Sequence, residues 1–309
     1  MRVLVTGAGG FVGGHLVAHL AGLGHQVWAG VREGETPPSG AVEPVICELD
    51  QAEALRQLME RLRPEAVIHL AGLSSVGESW RQPAEAIRVN TVGTTTLLES
   101  LVAAGQPPTF LSVGSAEEYG EGADSPLTEE SPTRPLNPYG VSKLAQGMLA
   151  LQYGRRHGFR VIHVRAFNHV GPGQRPGFVL PDFARQVALI ERGKGEPTLR
   201  VGNLTARRDF LDVRDVVRAY AGLLAPQVPA GVYNVASGTA RPVSDLLDLL
   251  LAEASCPIRV ERDPSRFRPA DVPVLCGDPR KLREATGWSP IYPLEETVRS
   301  VLAEWRGQV

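Results

Sequence analysis

The 309-residue chain is expected to be an α/β protein built on a doubly wound parallel sheet. Three observations predict this. β-branched runs alternate with helix-period segments through the first half. The first run ends in a glycine cluster that leads straight into an apolar helix. After residue 166 the rhythm breaks, which is how a smaller lobe attached to the sheet would read.

Taken in order, strands are expected at 2–6, 26–31, 44–48, 66–71, 108–113 and 160–165, with helices at 11–23, 51–62, 83–104 and 139–157. The first helix carries Phe11, Val12, Leu16, Val17 and Leu20 on its buried side. The helix at 139 has a clear start: Asn137 can cap it, and Pro138 fits a first position that needs no N–H. Beyond a Gly/Pro-rich stretch at 171–177 come a helix at 180–192, short strands near 199–201 and 232–235, and helices at 213–225, 243–253 and 294–306. Residues 1–167, with a return of 209–236, are expected to form the larger domain. Residues 168–208 and 237–309 form the smaller lobe, packed at the carboxyl ends of the strands, where open α/β sheets bind ligands.

The glycine cluster is Thr6-Gly7-Ala-Gly-Gly10-Phe-Val-Gly13. One glycine permits the tight turn, another lets backbone approach a pyrophosphate, and a third allows close helix–strand packing. The helix start then presents N–H groups and a positive dipole end to the phosphates. The spacing G-x-x-G-x-x-G departs from the commoner G-x-G-x-x-G, and the strand before with the helix after is the context that supports it.

Tyr139-Gly-Val-Ser-Lys143 sets a phenol and an ammonium four residues apart, on one helix face. Lysine is scarce: Lys143, Lys194 and Lys281 are the only three. A free phenol titrates near pH ~10, so an ammonium beside it would favour the phenolate needed for proton transfer at neutral pH.

Composition excludes several classes. A net charge of −2 with dispersed basic residues gives no footprint for nucleic acid. No apolar run approaches the ~20 residues of a membrane span, and no signal peptide is expected ahead of a strand at residue 2. Cys47, Cys256 and Cys276 are odd in number and far apart, as in a cytoplasmic protein with reduced thiols and no metal site.

Further motifs carry a resemblance along essentially the whole chain: Asp50 after the third strand, His69-Leu-Ala-Gly72, Asn90-x-x-Gly93-Thr94, Ser115 ahead of Tyr119-Gly120, and Tyr139/Lys143. The chain resembles the extended short-chain dehydrogenase/reductases that modify nucleotide sugars. The segments Arg165-Ala-Phe-Asn168-His-Val-Gly-Pro-Gly-Gln174, Arg208-Asp-Phe-Leu-Asp-Val-Arg-Asp215 and Arg266-Phe-Arg268-Pro-Ala-Asp271 are similar to GDP-4-keto-6-deoxy-D-mannose reductases. GDP-mannose 4,6-dehydratases are next most similar.

The resemblance implies a Rossmann domain for residues 1–167 and a homodimer through helices 83–104 and 139–157. Cofactor contacts would come from Gly7, Gly10, Phe11, Val12, Gly13, Arg32, Asp50, Gln51, Leu70, Ala71, Gly72, Asn90, Tyr139 and Lys143. Catalysis would fall to Ser115, Tyr139 and Lys143, with Glu117 as the extra acid/base group a dehydratase requires. The nucleotide sugar would meet Ser115, Asn168, Val179, Arg208, Arg268 and Asp271. Arginine suits the diphosphate because its planar fork matches phosphate geometry. Asp271 stands where relatives usually carry glutamate, and Asp50 competes between the adenine end of the cofactor and the cap of helix 51–62. His69, inside an apolar strand, reads as a satisfied core residue.

The second strand ends Ala29-Gly30-Val31-Arg32-Glu33, with a cation in place of the acidic residue that selects NAD, although Glu33 could still reach the ribose. NADP(H) is therefore expected, with NAD(H) the alternative. Three readings stay open: a reductase giving GDP-D-rhamnose, a 4,6-dehydratase or 4-epimerase on the same scaffold, and a non-catalytic dinucleotide-sensing regulator. Ala116 breaks the Asp-Glu pair of one dehydratase type, whereas Glu117 matches the GDP-mannose type.

Overall fold

The structure is a computed structural model describing residues 1–38, 43–105, 108–122, 126–266 and 272–309. Its first half runs β1 (Arg2–Thr6), α1 (Phe11–Gly22), β2 (Gln26–Val31), β3 (Glu43–Ile46), α2 (Ala52–Leu62), β4 (Ala66–His69), α3 (Val76–Arg81), α4 (Pro83–Ile87), α5 (Gly93–Ala103), β5 (Thr109–Val113) and α6 (Pro138–His157). Then follow β6 (Val161–Ala166), β7 (Asn168–Val170), α7 (Val179–Glu191), β8 (Thr198–Val201), β9 (Arg207–Asp212), α8 (Val213–Leu223), β10 (Gly231–Val235), β11 (Ala240–Pro242), α9 (Val243–Ala252), β12 (Arg259–Arg262), β13 (Val274–Leu275), α10 (Arg280–Thr286) and α11 (Leu294–Gln308).

Seven strands form one parallel sheet in the order β10-β6-β5-β4-β1-β2-β3. Both faces are covered, so the inner strands are buried on both sides and read as mainly apolar runs rather than alternating, while the edge strand β3 is mostly exposed. Leu16, Val17 and Leu20 of α1 and Val216, Val217 and Tyr220 of α8 close one face. Leu55 and Met59 of α2, Leu97, Leu98 and Leu101 of α5 and Ala150 of α6 close the other. Burying such a side chain fully is worth about 1.5–3 kcal/mol. The chain returns to this sheet through α8 and β10, while Asp209–Asp212 belong to a small sheet in which β9 pairs with β7, β11 and β13. A third core joins α7, α9 and α11.

The single helix expected over 83–104 is instead three pieces: α4, a π-helical turn at Arg88–Val92, and α5. α3 precedes them and lay outside the expected elements. Threonine hydroxyls of Thr94, Thr95 and Thr96 bond the carbonyls of Asn90, Thr91 and Val92 and support the wide turn. That turn carries Asn90 inward, completely buried, an arrangement typical of π-bulges at functional sites. Strands β7, β9, β11, β12 and β13 also went unanticipated; three of them are only two or three residues long.

Candidate active site

The cradle is made by backbone. Gly7 turns with φ +68°, and a Cβ there would stand 2.7 Å from the Ala71 nitrogen. A Cβ on Gly13 would stand 2.7 Å from the Ala8 Cα, so only glycine lets α1 pack this tightly against the turn. Gly10 caps α1 in extended conformation and offers no side chain to its N–H groups, which keeps the Phe11–Val12 end available to an anion. Phe11 stacks on His169, with ring centroids 6.1 Å apart, and His15 Nε2 meets the Pro172 carbonyl at 2.8 Å, so the loop after β7 covers this helix start.

Below it, Thr6 and His69 lock β1 to β4. The Thr6 hydroxyl meets His69 Nδ1 at 2.7 Å and receives the Ala71 N–H at 3.3 Å. His69 Nε2 lies 2.8 Å from Thr94 Oγ1, which donates to the Asn90 carbonyl. Every donor has an acceptor if His69 is neutral with its proton on Nε2. Burial, helped by the charge of Lys143, pushes its pKa down to about 3. Asn90 ties the Leu70–Gly72 turn to α6: its Oδ1 accepts from Leu73 N–H at 2.8 Å, and its Nδ2 donates to the Leu73 carbonyl and to Ser142 Oγ. A Cβ at Gly72 would crowd Asn90 Oδ1 and touch Lys143 Nζ.

Ser115, Tyr139 and Lys143 come together, all buried. Ser115 ends the extension of β5 and caps a 3₁₀ turn, Ala116–Glu118, where its Oγ accepts the Glu117 N–H. Asn137 caps α6 by accepting the Gly140 N–H at 2.8 Å and donates to Glu117 Oε2 at 2.7 Å, joining that turn to the helix. Burial drives the Tyr139 phenol well above its ordinary range, the charges of Glu117 and Glu118 add to this, and a hydrogen bond with Ser115 works against it.

Among the described residues, the hydrogen bonds of Lys143 run elsewhere than to the phenol. Its ammonium turns toward β5 and donates to the Val113 carbonyl at 2.8 Å and to Gln146 Oε1 at 3.0 Å. Burial lowers its own pKa to about 8, against the pull of Glu118. The site thus holds a buried phenol hydrogen-bonded to Ser115, with the Lys143 ammonium one helical turn along and directed at the end of β5.

The remaining predicted residues are spread around this centre. Asp50 neither caps α2, whose cap position is Gln51, nor lies buried; its carboxylate pairs with Arg88 at 3.4 Å. Arg32 is largely exposed and pairs with Glu35 at 3.6 Å, while the Glu33 N–H is taken by Glu48. The Glu35 carboxyl lies close over Gly9. Asn168 opens β7 on the exposed side, and Val179 is the first residue of α7. Arg208 donates to the Val272 carbonyl at 2.7 Å. Arg268 and Asp271 fall outside the described residues.

The sequence reading missed a buried polar set beneath the site: Ser112, Glu118, Gln146 and His163. One signal was available. His163 and Arg165 stand two apart in β6, hence on one face of a strand buried on both faces, and such groups need partners.

A backbone cradle at the end of β1, with a Ser/Tyr/Lys group across it, defines a dinucleotide-dependent short-chain dehydrogenase/reductase of the extended type. The model for GDP-mannose 4,6-dehydratases matches residues 4–301, and the chain belongs to that family. It is 40% identical to a GDP-6-deoxy-D-mannose reductase of Pseudomonas aeruginosa, covering 100% of this chain and 98% of the relative. A structure of RMD from Pseudomonas aeruginosa complexed with NADPH superposes with a TM-score of 0.87 at 39% identity, covering 100% and 99% of the two chains. A Thermus thermophilus UDP-glucose 4-epimerase complexed with NAD gives 0.87 at 30% identity, with both chains fully covered.

Proposed function

We propose that the protein is an NADPH-dependent reductase acting on the C4 ketone of a GDP-linked 6-deoxy sugar, turning GDP-4-keto-6-deoxy-D-mannose into GDP-D-rhamnose in the cytoplasm. The observation that carries this is the buried Ser115–Tyr139 pair with Lys143 one turn along the helix, in a chain alike end to end to a reductase. Bound NADPH would supply the hydride to the sugar C4. Tyr139 donates its proton to the ketone oxygen as that oxygen becomes a hydroxyl, and solvent restores it. Ser115 orients the same oxygen, and the buried ammonium of Lys143 steadies the phenolate formed.

The residues present fit a dinucleotide: Gly7, Gly10 and Gly13 leave the room, Phe11 and Val12 lead the helix start, and Leu70–Gly72 with Asn90 line the next turn. Arg32 is the cation for a 2′-phosphate, with NADH the weaker alternative; Asp50 and Gln51 take the adenine end. Asn168, Val179, Arg208, Arg268 and Asp271 would hold the nucleotide sugar in the smaller lobe, made by 168–208 and 237–309. Val92, Val141 and Met148, exposed beside and along α6, support a homodimer through α5 and α6, which light scattering tests.

Given the 4-keto sugar, the purified protein should consume NADPH mole for mole. A dehydratase reading is favoured by one observation, Glu117 within electrostatic reach of Tyr139. Turnover of GDP-mannose to the ketone with no net cofactor change, stopped by Glu117→Gln, would replace the reductase reading.

A further inference from the structure

Beneath the catalytic group lies a continuous buried chain of polar side chains. Lys143 Nζ donates to Gln146 Oε1 at 3.0 Å, and Gln146 Nε2 donates to Ser112 Oγ at 3.0 Å. Ser112 stands opposite His163 in the β5–β6 register, and their Oγ and Nδ1 are 3.3 Å apart. His163 Nε2 reaches Glu118 Oε1 at 3.0 Å. The same oxygen accepts the Ser115 N–H at 2.9 Å, and the second oxygen accepts Arg165 Nε at 3.0 Å. Ser112, Gln146 and Glu118 are fully buried and His163 nearly so.

Glu118 accepts from the His163 ring, Arg165 and the Ser115 N–H, and the Ser112 hydroxyl oxygen receives Gln146 while facing the other nitrogen of that ring. Arg165 compensates the carboxylate and lies over the Tyr119 ring, 4.6 Å from its centroid. Space has been cleared for this cluster: a Cβ on Gly114 would run into both Glu118 and His163, and one on Gly147 into the His163 ring. A buried carboxylate is expensive, and hydrophobic packing of equal volume would often be as stable. Its contacts lead instead to both arms of the catalytic group.

We propose that Glu118, oriented by His163 and Arg165, is a positioning residue: it fixes Ser115 through its backbone N–H and sustains the charge of Lys143 through the Gln146–Ser112–His163 chain. The ionisable groups that bear on Lys143 are Glu118 on the 3₁₀ turn and His69 on β4, with His163 and Arg165 of β6 farther along the chain, against Glu118. Of these, Glu118 is the one that raises the Lys143 pKa. The role in turnover rests on the reductase reading; the titration below does not.

Two readouts test it. With lysine labelled at 13Cε, the cofactor-free protein has three signals, and Lys143→Arg assigns the one of interest. In Glu118→Gln the Lys143 midpoint should fall by about 0.5–1 unit, as expected for a buried charge several Å away. Glu118→Asp, which keeps the charge, should restore most of it. In ketone reduction, the alkaline limb of kcat should move the same way, with kcat reduced about tenfold and the cofactor KM within about threefold. If Glu118→Gln does not fold, Ser112→Ala takes its place, because it cuts the chain while leaving both hydrogen bonds of Lys143 intact; its Lys143 midpoint should also fall. A midpoint unmoved in the folded variant overturns the proposal, whether or not the wild-type protein reduces the ketone. Failure of the wild type to reduce it overturns the reductase reading alone.

Discussion

Replacing Tyr139 by phenylalanine isolates the proton transfer from everything else the site does. The ring is buried, and the substitution removes one oxygen without leaving an apolar cavity. The lost bond to Ser115 is neutral and worth about 0.5–1.5 kcal/mol, so the melting temperature should move by no more than about 2–4 °C. The effect on chemistry is larger. A positioned general acid contributes about 10²–10⁴ in rate, or about 2.7–5.4 kcal/mol of barrier. Stopped-flow loss of NADPH absorbance on mixing with the 4-keto sugar should slow by that factor, while fluorescence titration gives wild-type NADPH affinity. The pH profile adds a second check. With the phenol held above its usual range, its deprotonation does not limit the wild-type rate near neutrality, and the first alkaline loss belongs to Lys143, near pH 8. A Tyr139→Phe protein retaining more than a tenth of wild-type kcat would refute the assignment of Tyr139 as the acid.

Lys143→Met should abolish turnover and alter stability with a fixed sign. The folded pKa, about 8, lies below the ordinary 10.5, so between those values the unfolded chain binds a proton that the folded one does not. Wild-type stability relative to Lys143→Met should therefore rise with pH across that window, by up to about 3 kcal/mol at 1.36 kcal/mol per unit; denaturant melts measure it. His69 is held near 3 against an ordinary 6.5, so its share of stability is lost as pH falls from 6.5 toward 3, and His69→Gln should flatten that part of the acid-melting curve. Arg32→Ala should narrow the preference for NADPH over NADH, whereas Glu35→Gln should widen it by releasing Arg32 from its carboxylate partner; paired binding titrations decide both.

What could be read from the sequence follows from which constraints are local. Gly7 and Gly13 are forced by a left-handed turn and by one helix crossing its own entry strand, and each demand falls on a residue within thirteen positions of the start. Tyr139 and Lys143 share a helix, so a spacing of four already places them together. Asp50 shows the limit even at short range: its carboxylate could cap α2, but Arg88 lies opposite and takes it. The helix expected over 83–104 fails for a related reason. A hydrophobic period cannot register a π-turn that exists to bring Asn90 against Leu73 and Ser142, two segments distant in the chain. The buried polar chain is less legible still, because its members come from β5, the 3₁₀ turn, α6 and β6. Only the register that sets Ser112 beside His163 connects them, and that register is a property of the folded sheet. Glu118 illustrates the consequence. In the string Ala-Glu-Glu-Tyr its two carboxylates look alike, yet Glu117 ties a helix cap while Glu118 lies in full burial between a histidine and an arginine. Two adjacent residues of one type thus acquire separate duties on either side of Tyr139, and exchanging Glu118 for glutamine tests one duty while leaving the other in place.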